Sequence, residues 1–170
     1  MPTDLTSVAG GVLLLFFVGL VLHSLWQWGR RYPPVSDVPP AGVEGVLMVL
    51  VSAAVLAGLF NLTSFGLLMN SIRFGSYGAL LESRLFADAV VPGMLGFVGY
   101  IWAAFRLLVG RKSTVKAEAA AGFFVSGPAV EAMYLSAGTG DPMRLLFAGL
   151  LFAAAAAYLF FSRRALHTYG

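Results

Sequence analysis

Residues 8–28 run from a valine to a tryptophan without one formally charged side chain. A spanning helix needs about 20 mainly apolar residues, and this stretch supplies them. Four more follow at 43–65, 85–109, 117–135 and 143–161. The fourth is richer in alanine and glycine and is interrupted at Ser126, Gly127 and Pro128, so its signal is the weakest of the set. The predicted fold class is all-α: a polytopic transmembrane helix bundle with five spanning helices in a single integral membrane domain, 1–170. The intervening GRRYPPVSDVPPAG, GSYGALLESR, GRKSTVK and AGTGDP read as turns and interfacial connectors from their proline, glycine and polar content.

Composition agrees with that reading. The 170 residues are 59% hydrophobic and 11% charged, where a soluble domain holds roughly 25% charged residues. The chain has no cysteine, which removes disulfides, thiolate nucleophiles, iron–sulfur clusters and cysteine-type zinc sites. With two histidines besides, no metal and no cofactor is expected. Eleven Lys and Arg against eight Asp and Glu give a net charge of +3. In a membrane protein the distribution of that charge matters more than its size, and it makes no argument for nucleic acid. The leading MPTDLTS lacks a positive n-region, and the apolar run behind it is about twice the length of the usual apolar core of a signal peptide. The first helix is therefore expected to be retained.

Basic residues in short loops set orientation. With the N-terminus outside and the C-terminus cytoplasmic, the inner ends hold Arg30, Arg31, Arg106, Arg111, Lys112, Lys116, Arg163 and Arg164, against Arg73, Arg84 and Arg144 outside. The weak fourth span is required to keep that pattern. Trp26, Trp28 and Tyr32 then form an aromatic belt at the inner face.

The remaining charges gather on the other side. In FADAVVPG, Asp88 lies about 4.5 Å inside the third helix, by the usual rise per residue, where the N-terminal dipole favours it and Arg84 is four residues away. Pro92 cannot donate to the carbonyl of residue 88, so a freed acceptor and a kink are expected there. Glu131 sits at similar depth on the fourth helix, near a helix C-terminus that opposes its charge. Arg144, at the start of the fifth, is its expected partner. Arg84, Asp88, Glu131 and Arg144, with Glu82 and Asp141, thus form a candidate polar cluster. Intramembrane ionisable groups face a cavity or a partner, and shallow ones also serve as interfacial ion pairs holding helices together.

Other residues carry less. His23 has Gln27 one turn on as a partner, and a haem would need a second axial ligand that His167, beyond the last helix, does not supply. Glu44 is expected in the first turn of the second helix. Gly93, Gly96 and Gly99 mark a face of the third helix where another backbone can approach closely, and alanines with Gly122 do so on the fourth. No GxSxG, HExxH, Walker A or dinucleotide fingerprint is present, so no catalytic residue is assigned and an enzyme is not expected.

GVEGVL at 42–47, GRKSTVKAE at 110–118, a proline-bearing helix after it, and the ending YLFFSRRALHTY at 158–169 give an order of motifs that resembles the bacterial domain of unknown function 2569, a family of small polytopic inner-membrane proteins. The resemblance covers 41–169 as a four-helix unit and leaves 8–28 as an added first helix. Glu44 and Val46 stand where the family has a glycine and a tryptophan, and Ala165 and Leu166 depart from its usual tail. The resemblance implies a bacterial inner-membrane location and no catalytic residue. The expected role is a non-enzymatic accessory or small subunit, packed in the lipid bilayer against other membrane protein subunits or a second copy of itself, with Arg163 and Arg164 forming a basic cytoplasmic tail. The alternative is a small transporter or proton-coupled channel using Asp88 and Glu131.

Overall fold

Apolar stretches of this length become helices, and the computed structural model describes residues 5–36, 38–71 and 86–170 of the chain. All regular structure among the described residues is helical. Helix α1 is Leu5–Arg31 and α2 is Val46–Ser71. Helix α3 opens with a wide turn, Phe86–Val90, and continues as Val91–Val109. Helix α4 is built from Thr114–Phe124, a second wide turn at Val125–Ala129, and Val130–Ser136. Helix α5 is Pro142–Phe161, and a short α6, Arg163–Tyr169, folds back against the bundle.

Among the described residues, three stretches are long and apolar enough to cross a membrane: Val46–Thr63, Val91–Val109 and Pro142–Phe161. Helix α4 is helical throughout 114–136, about 34 Å at the usual rise per residue.

Both wide turns lie beside a proline, one of them at Pro92, where the sequence leads to the expectation of a freed acceptor and a kink. Pro92 follows Phe86–Val90 and Pro128 lies inside Val125–Ala129. A proline removes one N–H from the helical ladder, and a single turn paired five residues apart re-registers the bonds around the gap without ending the helix. Ser126 supports the second turn by donating its hydroxyl to the Gly122 carbonyl at 2.7 Å.

Helix α2 packs on α3, α3 on α4, and α4 on α5. The core follows that order: Leu47, Val51 and Ala54 of α2 meet Ala103, Ala104 and Leu107 of α3, which meet Val115, Ala119 and Phe123 of α4. Gly99 and Gly122 let α3 and α4 approach backbone to backbone, and a Cβ on either would lie 2.9 or 2.8 Å from the carbonyl oxygen of the other. Gly96 faces α2, where a Cβ would meet the Asn61 side chain at 2.8 Å. Gly93 is buried on the same helix.

Helix α1 is attached differently. Of its described side chains only Gly29 is buried, packed against Val43 and Leu108, with Leu25 one turn before it against the core. Leu15, Phe16 and Phe17 are 72%, 66% and 56% exposed, so this stretch of the helix stands clear of the bundle.

Candidate functional site

The two ends of the bundle have opposite chemistry. At one end, the last turns of α1 and α3, the 110–113 connector, the start of α4 and all of α6 hold Arg30, Arg31, Arg106, Arg111, Lys112, Lys116, Arg163 and Arg164. Arg111 ties this end together. Its Nε donates to the Pro33 carbonyl at 2.9 Å and its Nη2 to the Tyr32 carbonyl at 2.8 Å. The guanidinium lies between the Tyr32 and Tyr169 rings, 5.8 and 5.9 Å from their centroids.

The segment expected as a basic tail is helix α6, and it packs against the bundle. Ser162 caps it by accepting from the Ala165 N–H at 3.3 Å. The Thr168 hydroxyl accepts from the Gly42 N–H at 3.0 Å and donates to the Arg164 carbonyl at 2.7 Å. The Ser36 N–H donates to the His167 carbonyl at 3.0 Å, and Lys116 Nζ donates to the Gly170 carbonyl at 2.8 Å. Tyr169, wholly buried, donates its hydroxyl to the Leu107 carbonyl at 2.6 Å. That carbonyl is among the last four of α3, which lack an intrahelical partner. Arg163 remains exposed and Arg164 is half-buried.

Sequence reasoning missed the ion pair among the described residues, Arg106 with Glu118, which staples α3 to α4 near this end. Arg30 lies over the Trp26 ring at 4.3 Å, and Trp26 and Trp28 are exposed on α1. His23 Nε2 and Gln27 Nε2 are 2.8 Å apart. Glu44 is not in the first turn of α2. The helix begins at Val46, because Gly45 holds a φ of 58° and its carbonyl accepts the Val49 N–H as the helix entry, which leaves Glu44 exposed in the loop before it.

The opposite end carries Asp88, Glu131, Asp141 and Arg144; Arg73, Glu82 and Arg84 lie outside the described residues. Asp141 has a structural duty: it caps α5, its Oδ1 accepting from the Met143 N–H at 2.9 Å. The wide turn holding Asp88 touches the last section of α4, which holds Glu131. Glu131 and Arg144 do not form the expected ion pair. Both instead line one cavity of about 610 Å³. Because α2 packs on α3 and α5 packs on α4, a gap is left between α2 and α5. Its back wall is Tyr100 of α3 with Phe123 and Gly127 of α4, and its flanks are Ala54 and Ala57 of α2 and Phe147 and Ala148 of α5. Tyr100 lies beside Ser126 and in the field of Glu131. Asp88 is not among the lining residues.

Among the described residues no group of His, Cys, Asp and Glu is placed to hold a metal ion. Compared with family models, with curated proteins and with solved structures, the chain matches none.

Proposed function

We propose that this protein is a non-enzymatic accessory subunit of a larger membrane assembly. In this reading it crosses a bacterial inner membrane five times, with the N-terminus outside and the basic, α6-capped end in the cytoplasm. The location rests on the likeness of the GVEGVL, GRKSTVKAE and SRRALHTY stretches to the domain of unknown function 2569. The orientation rests on basic residues in short loops, eight of which share one end.

The observation that carries the subunit reading is α1. It is a 27-residue helix secured to the bundle near Leu25 and Gly29, with the apolar residues Leu15, Phe16, Phe17 and Leu20 left uncovered. Helices associate in lipid through packing and close approach of small residues, and Gly19, with no atom within 4 Å of where its Cβ would lie, offers such a position. A partner helix seated there would make α1 the coupling element. The transport alternative has Glu131 in the cavity in its favour, but its other carboxylate, Asp88, is not part of the lining.

Gentle native extraction at natural expression level, followed by mass spectrometry of what co-migrates, tests the reading. A stoichiometric larger membrane protein is expected, and Gly19→Trp should release it while the variant keeps its own helical content and melting temperature. Extraction as a lone monomer, or a partner retained undiminished by Gly19→Trp, would contradict it.

A further inference from the structure

The gap between α2 and α5 has features that the subunit reading does not use. It joins a carboxylate and a guanidinium, Glu131 and Arg144, that share one lining without pairing to each other. Both lie at the end of the bundle that carries the 137–141 turn, Arg144 within the first turn of α5. Away from that end the walls are apolar, with Leu50, Ala54 and Ala57 from α2 and Leu151, Phe152 and Ala155 from α5. Between Arg144 and Ala155 the α5 side of the lining spans about 17 Å at the usual rise per residue. That is close to one leaflet of a hydrocarbon core about 30 Å thick. The volume of about 610 Å³ falls within the roughly 300–1,000 Å³ of small-molecule sites.

We propose that this groove holds one zwitterionic phospholipid of the phosphoethanolamine class, drawn from the leaflet on the side of the 137–141 turn. An arginine fork matches a phosphate in bidentate geometry, and Arg144 takes the lipid phosphate. Glu131 takes the ammonium. One acyl chain lies along the apolar channel between α2 and α5, against Phe123 and Phe147. Two opposite charges held apart at headgroup depth fit a headgroup that itself carries both signs, and an anionic lipid would leave Glu131 facing a like charge. The inference is independent of the partner proposed for α1.

The test uses the full-length protein in mild detergent, stripped until native mass spectrometry shows no bound lipid, then titrated with phosphatidylethanolamine or phosphatidylglycerol. One phosphatidylethanolamine per chain is expected, held about tenfold more tightly than phosphatidylglycerol. Arg144→Gln should weaken both lipids about tenfold. Glu131→Gln should remove the preference between them. Ala53→Trp, at an exposed position on the lining, should abolish binding without disturbing the core. Val98→Trp, exposed and outside the lining, should leave binding unchanged. Soluble phosphoethanolamine at the same concentration should not displace the lipid, because it cannot fill the channel. Equal affinity for the two lipids in the unmodified protein, binding that survives Ala53→Trp, or displacement by soluble phosphoethanolamine would each overturn the proposal. Should Arg144→Gln fail to fold, Ala53→Trp and the lipid preference of the unmodified protein decide the matter.

Discussion

Tyr169→Ala should lower the stability of the bundle by about 3–5 kcal/mol, the range for removing a buried aromatic side chain. The residue is wholly buried, packs in the core with Leu107 and Leu159, and supplies the donor for the Leu107 carbonyl. Tyr169→Phe keeps the ring and should cost only about 1–3 kcal/mol, for the carbonyl left without its partner. Thermal unfolding in detergent, followed by circular dichroism, separates the two. A pH effect accompanies them. Burial raises the Tyr169 phenol above its ordinary pKa, Arg111 beside it pulls it part of the way back, and Tyr158 adds a smaller upward push. The neutral phenol is therefore favoured by folding. Its contribution is complete below about pH 10, the unfolded value, and is lost as pH rises toward the higher folded value. Tyr169→Phe should flatten that alkaline loss, and an unchanged alkaline limb would show that Tyr169 is not its source.

Gly99→Leu should be the most damaging change within the spans. A Cβ alone at position 99 would lie 2.9 Å from the Gly122 carbonyl oxygen and 2.9 Å from the Ser126 Cβ, and one at position 122 would lie 2.8 Å from the Gly99 carbonyl oxygen. Both nearest obstacles are backbone oxygens, so the helices have to separate. Gly99→Ala and Gly122→Ala are each expected to cost about 1–3 kcal/mol, the range for overpacking, and Gly99→Leu more. The double alanine variant should cost less than the sum, because one separation relieves both clashes. Gly149→Ala is the contrast. It meets nothing within 4 Å and should be neutral or slightly stabilising through helix propensity. Resistance to denaturation in detergent ranks the series, and equal loss at 99 and 149 would remove the close-contact explanation.

Much of the fold was legible because lipid imposes one requirement on every span, a long apolar helix. The four apolar stretches after the first correspond to α2 through α5, and the weak fourth one is helical across Ser126, Gly127 and Pro128. The prolines were visible, but the wide turns beside Pro92 and Pro128 depend on neighbours that sequence spacing does not name. Glycine and alanine marked the close faces of α3 and α4, yet only the azimuth of packing decides that Gly99 meets Gly122 and Gly96 meets Asn61. The same limit explains Glu131 and Arg144. Residue counting placed them at one level, but rotation about the helix axes turns both toward a cavity and not toward each other. Helix α6 was read as a tail because seven residues are too few for a hydrophobic signal; its one local mark was Ser162, a favoured capping residue, just ahead of it.

The threading of the chain decides which end of the bundle faces the cytoplasm, and the absence of cysteine makes it directly measurable. Single cysteines at Val38, Ser113 and Thr139, all exposed positions, would be challenged in intact cells with a membrane-impermeant maleimide. Thr139→Cys should label from outside, while Val38→Cys and Ser113→Cys should label only after the membrane is opened. Labelling of Ser113→Cys and Thr139→Cys from the same side would mean that α4 does not cross, and the five-span, basic-end-inside arrangement would be wrong.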